Sequence, residues 1–193
     1  MMVQKNTNNA PNRLQPIRKI AVTYKSQYGT TKQYAGWIAQ ELNATLLELS
    51  EAKNTDLTRY DLIIHGGGLY AGGIGGLKTV LKKSHKSLVV FTVGLADPKT
   101  ADYFEILKMG FTEEQLSQTK VFHLRGGIDY SKLNFLHKGM MAARHKYFNM
   151  KSPAELSEED KEFITTYGDK VDFVDKVEIE PLVAYVRGKI GIE

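Results

Sequence analysis

Near-continuous apolar runs and helically spaced apolar positions take turns along this chain. Ile17 to Tyr24 predicts a first strand, apolar enough to be covered on both faces as in a parallel sheet. Thr31 to Asn43 follows, with Tyr34, Ile38 and Leu42 at helical spacing and Ala35 and Ala39 alongside. Thr45 to Leu49 predicts a short second strand. Tyr60 to His65 predicts a third, closed by Gly66, Gly67 and Gly68, and Ser87 to Val93 a fourth, ending at Gly94. Lys120 to Leu124 is the fifth, ending in Arg125-Gly126-Gly127. Between these runs, Leu77 to Lys83, Ala101 to Met109 and Thr112 to Ser117 read as helical, and Thr112 before Glu113 and Glu114 is a good helix start. A longer helix spans roughly 132–148. Ser152-Pro153 and Ser157-Glu158-Glu159-Asp160 are further starts, Gly168 ends that element, and Pro181 opens a last helix carrying Leu182, Val183, Tyr185 and Val186.

Strands alternating with helices predict an α/β three-layer sandwich, a parallel sheet wrapped on both faces. Five strands with a polar turn after the first fit the order 2-1-3-4-5, whose ligand crevice lies beyond the carboxyl ends of the strands. The loops after strands one, three, four and five are therefore where a site is expected. Residues 1–17, with Asn6, Asn8, Asn9, Asn12, Pro11 and Pro16, show no periodicity and predict a disordered tail. Residues 18–193 read as one domain, long enough for a substantial core.

Composition narrows the function classes. An apolar fraction of 42% and a charged fraction of 25% are those of an ordinary globular protein. The run from Leu88 to Val93 is far short of the ~20 residues that span a bilayer, and the N-terminus has no apolar signal-peptide core. The cytoplasm is the expected address. There is no cysteine, so disulfides, thiolate nucleophiles and iron–sulfur clusters are excluded and redox chemistry would need a non-covalent cofactor. The net charge of +4 favours an anionic partner: a membrane surface, a nucleic acid or an acidic small molecule. The charge is uneven, with 120–151 basic and Glu155, Glu158, Glu159, Asp160 and Glu162 close behind it.

The turn after the first strand carries the candidate chemistry. Ser26, Gln27, Tyr28, Gly29, Thr30 and Thr31 set hydroxyls at a helix start, where unpaired N–H groups can hold a phosphate. The bland alternative is an ordinary N-cap. The turn has neither G-x-G-x-x-G nor G-x-x-x-x-G-K-[ST], which argues against dinucleotide and nucleoside-triphosphate sites. With Tyr24, Lys25, Tyr34 and Ala35 around it, it resembles the phosphate loop of flavodoxins, in which a Ser/Thr-x-Thr-Gly-x-Thr pattern binds the phosphate of flavin mononucleotide (FMN). Tyr28 departs from that pattern: it stands where many members have a small hydroxyl residue, which removes one side-chain donor and leaves the backbone donors.

The resemblance implies two further walls. Gly68, Leu69, Tyr70, Ala71 and Gly72, after the third strand, would flank the isoalloxazine ring; Val93, Gly94, Leu95, Ala96 and Asp97, after the fourth, would cover its other side and bond its pyrimidine edge. Taken alone, the first of these is a flexible loop with a packing tyrosine. Arg125-Gly126-Gly127-Ile128-Asp129-Tyr130, followed by Lys132-Leu133-Asn134-Phe135, resembles one branch in particular, flavodoxin-domain proteins similar to quinone-dependent protoporphyrinogen oxidases.

In the 132–148 helix, Leu133, Leu136, Met140, Ala143 and Tyr147 form a seam, with Lys138, Arg144, His145 and Lys146 supplying positive charge. The expectation is a core-facing seam with a solvated basic side; the sharper reading is a helix that sits peripherally on the inner face of an anionic membrane. The five histidines show no metal-ligand spacing and read as structural or surface residues, Trp37 as a packing residue. No G-x-S-x-G elbow is present. Two functions follow from the resemblance: an FMN oxidoreductase acting on a quinone or porphyrinogen, or an electron carrier that docks on redox partner proteins. A third reading is a fold that has lost its cofactor and serves as an interaction domain. A nucleic-acid partner is not expected, and oligomeric state is not legible.

Overall fold

A computed structural model describes residues 19–70, 73–99 and 102–191. The predicted tail, Ala71 and Gly72 lie outside the described residues. In chain order the strands are β1 (Ile20–Lys25), β2 (Thr45–Glu48), β3 (Leu62–Tyr70), β4 (Gly73–Ile74), β5 (Leu88–Gly94), β6 (Lys120–Arg125), β7 (Gly127–Asp129) and β8 (Lys170–Asp172). The helices are α1 (Thr30–Glu41), α2 (Leu49–Asn54), α3 (Leu77–Leu81), α4 (Phe104–Gly110), α5 (Glu113–Gln118), α6 (Phe135–Asn149), α7 (Glu158–Thr166) and α8 (Glu180–Ile190). The main sheet runs β2-β1-β3-β5-β6, all parallel, with the two-residue β4 antiparallel to β3. Counting the parallel strands alone, the order is the expected 2-1-3-4-5.

Period-two alternation divides the core. Val22, Tyr24, Leu62, Ile64, Val89 and Phe91 point to the face covered by Tyr34 and Ile38 of α1 and Leu182, Val183 and Val186 of α8. Ala21, Ile63, Leu88 and Val90 point to the other, covered by Leu49 of α2, Leu57, Leu77 and Val80 of α3, and Phe111. The starts read from sequence carry real caps: Thr112 and Gln115 form a capping box on α5, Ser157 and Asp160 one on α7, and Pro181 sits in the first turn of α8.

Two expectations are corrected. The third strand does not close at Gly66: β3 runs through Gly66, Gly67 and Gly68, which pair with Phe91, Thr92 and Val93 of β5. These positions are glycine because their neighbours need the room. A Cβ at Gly66 would stand 2.1 Å from Cζ of Phe91, and one at Gly67 2.4 Å from the carbonyl oxygen of Gly75. The seam of the long helix is not core-facing either. Leu133 is buried just before α6, but Leu136, Met140, Ala143 and Tyr147 are exposed, and α6 faces the body through His137, Met141, His145 and Phe148.

The segment from β7 through α6 and α7 to β8 leaves the carboxyl end of β6 and returns beside it, closed by antiparallel pairing of β7 with β8. Phe148 packs edge-on to Phe163 across the α6–α7 contact. This excursion stands at the end of the sheet where the site is expected.

Candidate functional site

Gly29 opens α1 in the left-handed region, φ 98°, a conformation that glycine adopts without a Cβ penalty. Its N–H donates to Oγ of Ser26 over 3.1 Å, its carbonyl accepts from the Gln33 N–H, and it offers no side-chain cap. The first-turn N–H groups of α1 therefore have no intrahelical acceptor and point out of the helix start with the Thr30 hydroxyl beside them. No carboxylate lies in that turn. Amides and hydroxyls without a nearby acid suit the phosphate that the resemblance implies.

This turn forms one end of a cavity of about 560 Å³, within the range of small-molecule sites. Ser26, Gln27, Tyr28, Thr30 and Thr31 line it after β1, Gly68, Leu69 and Tyr70 at the end of β3, and Val93, Gly94, Leu95 and Ala96 after β5. Three separated stretches thus converge on one space. Gly29 shapes the turn from behind and is not in the wall. Asp97 is also outside it, with its carboxylate accepting from the Lys99 N–H.

The loop after β5 is held by Arg125 and by Tyr103, which itself lines the cavity. Nε of Arg125 donates to the Leu95 carbonyl over 3.1 Å, and the Tyr103 hydroxyl donates to the Ala96 carbonyl over 3.2 Å. Arg125 also pairs with Glu162 of α7 at 2.5 Å and lies 3.6 Å over the ring of Phe173, tying the excursion to the sheet. Tyr103 stacks on His123, whose Nδ1 shares a hydrogen bond with the Thr92 hydroxyl. Burial, helped by the charges of Glu159 and Asp97, pushes Tyr103 up to about 12, so it stays a neutral donor. Burial also takes His123 down to about 4.

Sequence reasoning did not find the far wall. Ile106 and Met109 of α4, Met140 and Met141 of α6 and Phe163 of α7 line it, with Arg144, Glu159 and Glu162 at its polar margin. Methionine adapts to flat apolar surfaces, and Asp102, Arg144, Glu159 and Glu162 are the charged groups in the lining. Nor did it place His137, which lines the cavity between Tyr28 and Tyr70. For the α6 residues the only signal was helical spacing, and the seam it marked held Met140 but neither His137 nor Met141. Among the described residues no cluster of His, Asp and Glu could hold a metal ion.

Comparison with solved structures finds similar chains. A flavodoxin, WrbA-like protein from Agrobacterium tumefaciens is 18% identical, covering 78% of this chain and 92% of its own, with a TM-score of 0.40. Oxidised Flavodoxin 2 from Bacillus cereus is 18% identical over 77% of this chain and 94% of its own, TM-score 0.40. A flavoprotein in complex with FMN from Lactobacillus acidophilus is 16% identical over 55% and 91%, TM-score 0.38. Comparison with curated protein sequences finds no match. A family model, the flavodoxin domain, matches residues 21–152, from β1 through α6 and so across the turn and all three loops. On that match this chain belongs to the flavodoxin domain family.

Proposed function

We propose that this protein binds FMN non-covalently and transfers electrons with it, and that it is an oxidoreductase whose substrate is a flat apolar molecule, a quinone or a porphyrinogen. The observation that carries the reading is the phosphate-type turn of α1 opening into a cavity whose lining is mostly apolar. Ser26, Thr30, Thr31 and the first-turn amides hold the phosphate. Leu69, Tyr70, Leu95 and Ala96 flank the ring, and Arg125 and Tyr103 fix the loop that meets its polar edge. Bound there, the flavin supplies one- and two-electron chemistry, and the protein supplies orientation and a dry wall. The far wall of Ile106, Met109, Met140, Met141 and Phe163 leaves apolar room beyond the ring loops, which supports a substrate of the protein's own over a carrier that docks its flavin edge on a partner. Likeness of the 125–135 stretch to protoporphyrinogen oxidase relatives supports the same choice. The exposed basic seam of α6 supports peripheral contact with an anionic membrane.

The test is direct. Purified protein is expected to be yellow and to release FMN on denaturation, and Thr30→Val to weaken FMN far more than phosphate-free riboflavin. A colourless protein that FMN cannot reconstitute overturns the reading, and equal losses for both flavins overturn the phosphate assignment. Anaerobic photoreduction followed by addition of a quinone or porphyrinogen then separates an oxidoreductase, reoxidised or reduced by that compound, from a carrier that ignores it.

A further inference from the structure

Tyr28 stands in the phosphate turn but spends its hydroxyl elsewhere. Its Oη shares a 2.5 Å hydrogen bond with Nδ1 of His137, a residue 109 positions away on α6. The two rings also meet edge to face at 5.6 Å. The Asn134 N–H, at the N-cap of α6, reaches the same oxygen at 3.5 Å. On its other side the His137 ring stacks on Tyr70, with centroids 5.3 Å apart and planes within 19°. One imidazole therefore joins the turn after β1, the end of β3 and α6. The carboxyl-terminal half of α6 is held separately, on α7 and the turn after it: Phe148 packs on Phe163, Arg144 pairs with Glu159 and lies over the Phe163 ring, and His145 stacks on Tyr167. The amino-terminal half, which brings Met140 and Met141 to the cavity, has its polar connection to the sheet through His137 and Asn134, with Leu133 buried just before it.

We propose that Tyr28 and His137 form a latch that couples occupancy of the phosphate turn to closure of α6 over the cavity. They are positioning residues, and they make the site selective for a phosphorylated over a non-phosphorylated flavin. The physical reason is that a phosphate held by Ser26, Thr30 and Thr31 fixes the turn and so the direction of the Tyr28 side chain. With the turn already ordered, docking of α6 costs less conformational entropy. Linkage makes the coupling reciprocal: whatever phosphate adds to closure, closure adds to phosphate binding. Tyr28, which departs from the flavodoxin pattern, thereby trades one phosphate donor for a connection to the cover. The inference takes its ligand from the reading above, but the contacts of the latch are made by the chain's own residues.

Two variants isolate it: Tyr28→Phe, which keeps the ring, and His137→Phe, which keeps an aromatic face against Tyr70 but loses Nδ1. Hydrogen exchange of the ligand-free full chain is expected to quicken at amides 135–142 in either variant, with the β1 and β3 amides unchanged as the control for folding. Titration with FMN and riboflavin is expected to show each single variant weakening FMN by about tenfold, the double variant no further, and riboflavin unaffected in all three. Equal exchange at 135–142 in native and variant proteins overturns the latch whatever flavin does. Loss of FMN affinity in Tyr28→Phe alone overturns it too, because Tyr28 would then be a phosphate ligand. If the native protein takes neither flavin, the cofactor reading fails, and the exchange comparison still decides the latch.

Discussion

His65 sits with no solvent contact between two polar partners, the Thr23 hydroxyl at 2.9 Å from Nδ1 and the Gly75 carbonyl at 3.0 Å from Nε2. A carbonyl only accepts, so Nε2 carries the proton and Nδ1 accepts from Thr23, which is a complete neutral tautomer. Burial takes the group down to about 4 against an ordinary 6.5. Between those values the unfolded chain holds a proton that the folded chain does not, so stability falls as pH drops through that window. At pH 5 the penalty from His65 is about 2 kcal/mol relative to pH 7.5. Burial holds His123 near 4 as well, so urea denaturation at the two pH values is compared between the native protein and His123→Asn; the loss that persists in the variant belongs to His65, and a flat profile there would rule it out. The sequence shows five histidines without metal spacing, and although it puts His65 at a strand end and His137 on a helix, it reads both alike as structural or surface residues. What separates them is the partner, Thr23 on a neighbouring strand or Tyr28 across 109 residues, and local spacing does not encode that.

Elements were more legible than residues, because strand and helix periods are local and each of the five parallel strands repeats its own signal. The failure at β3 is instructive. Glycine is depleted in strands, so Gly66-Gly67-Gly68 reads as a strand end, but here the missing side chains make room for Phe91 and for the Gly75 backbone. That room is a tertiary fact. β7 and β8, at three residues each, were too short to show a period and pair only because the α6–α7 excursion returns. One substitution tests the packing argument with its own control. Gly66→Ala forces a Cβ into the Phe91 ring and is expected to cost about 2–3 kcal/mol, lowering Tm by roughly 5–10 °C. Gly36→Ala, inside α1 with nothing near the new carbon, is expected to stabilise by up to ~1 kcal/mol. Thermal melts of the two variants that move in the same direction would refute the account of β3.

At the scale of the molecule, charge and apolar surface are concentrated together on α6. From Phe135 to Lys151 there is no acidic residue, and Lys138, Arg144, Lys146 and Lys151 accompany Leu136 (68% exposed), Tyr147 (58%) and Met150 (79%). Among the described residues no helix is long and apolar enough to cross a membrane, so contact with lipid through this helix would lie along the surface. The sequence carried the seam and its charge correctly and misjudged only its direction, because a helix pattern fixes which residues share a face but not which face the body covers. His137, Met141, His145 and Phe148 took the covered side, which leaves Leu136, Ala143 and Tyr147 exposed while Met140 and Met141 line the cavity. Sedimentation with vesicles is therefore expected to show binding to anionic lipid that weakens with added salt, since each basic residue near such a surface contributes about 1 kcal/mol. Lys138→Ala with Lys146→Ala should lower partitioning roughly thirtyfold, following from about 2 kcal/mol. Leu136→Ser with Met150→Ser should weaken binding at high salt as well as low, because it removes the apolar share. Equal, salt-insensitive sedimentation of native protein and variants with neutral and anionic vesicles would leave α6 as nothing more than the cover of the cavity.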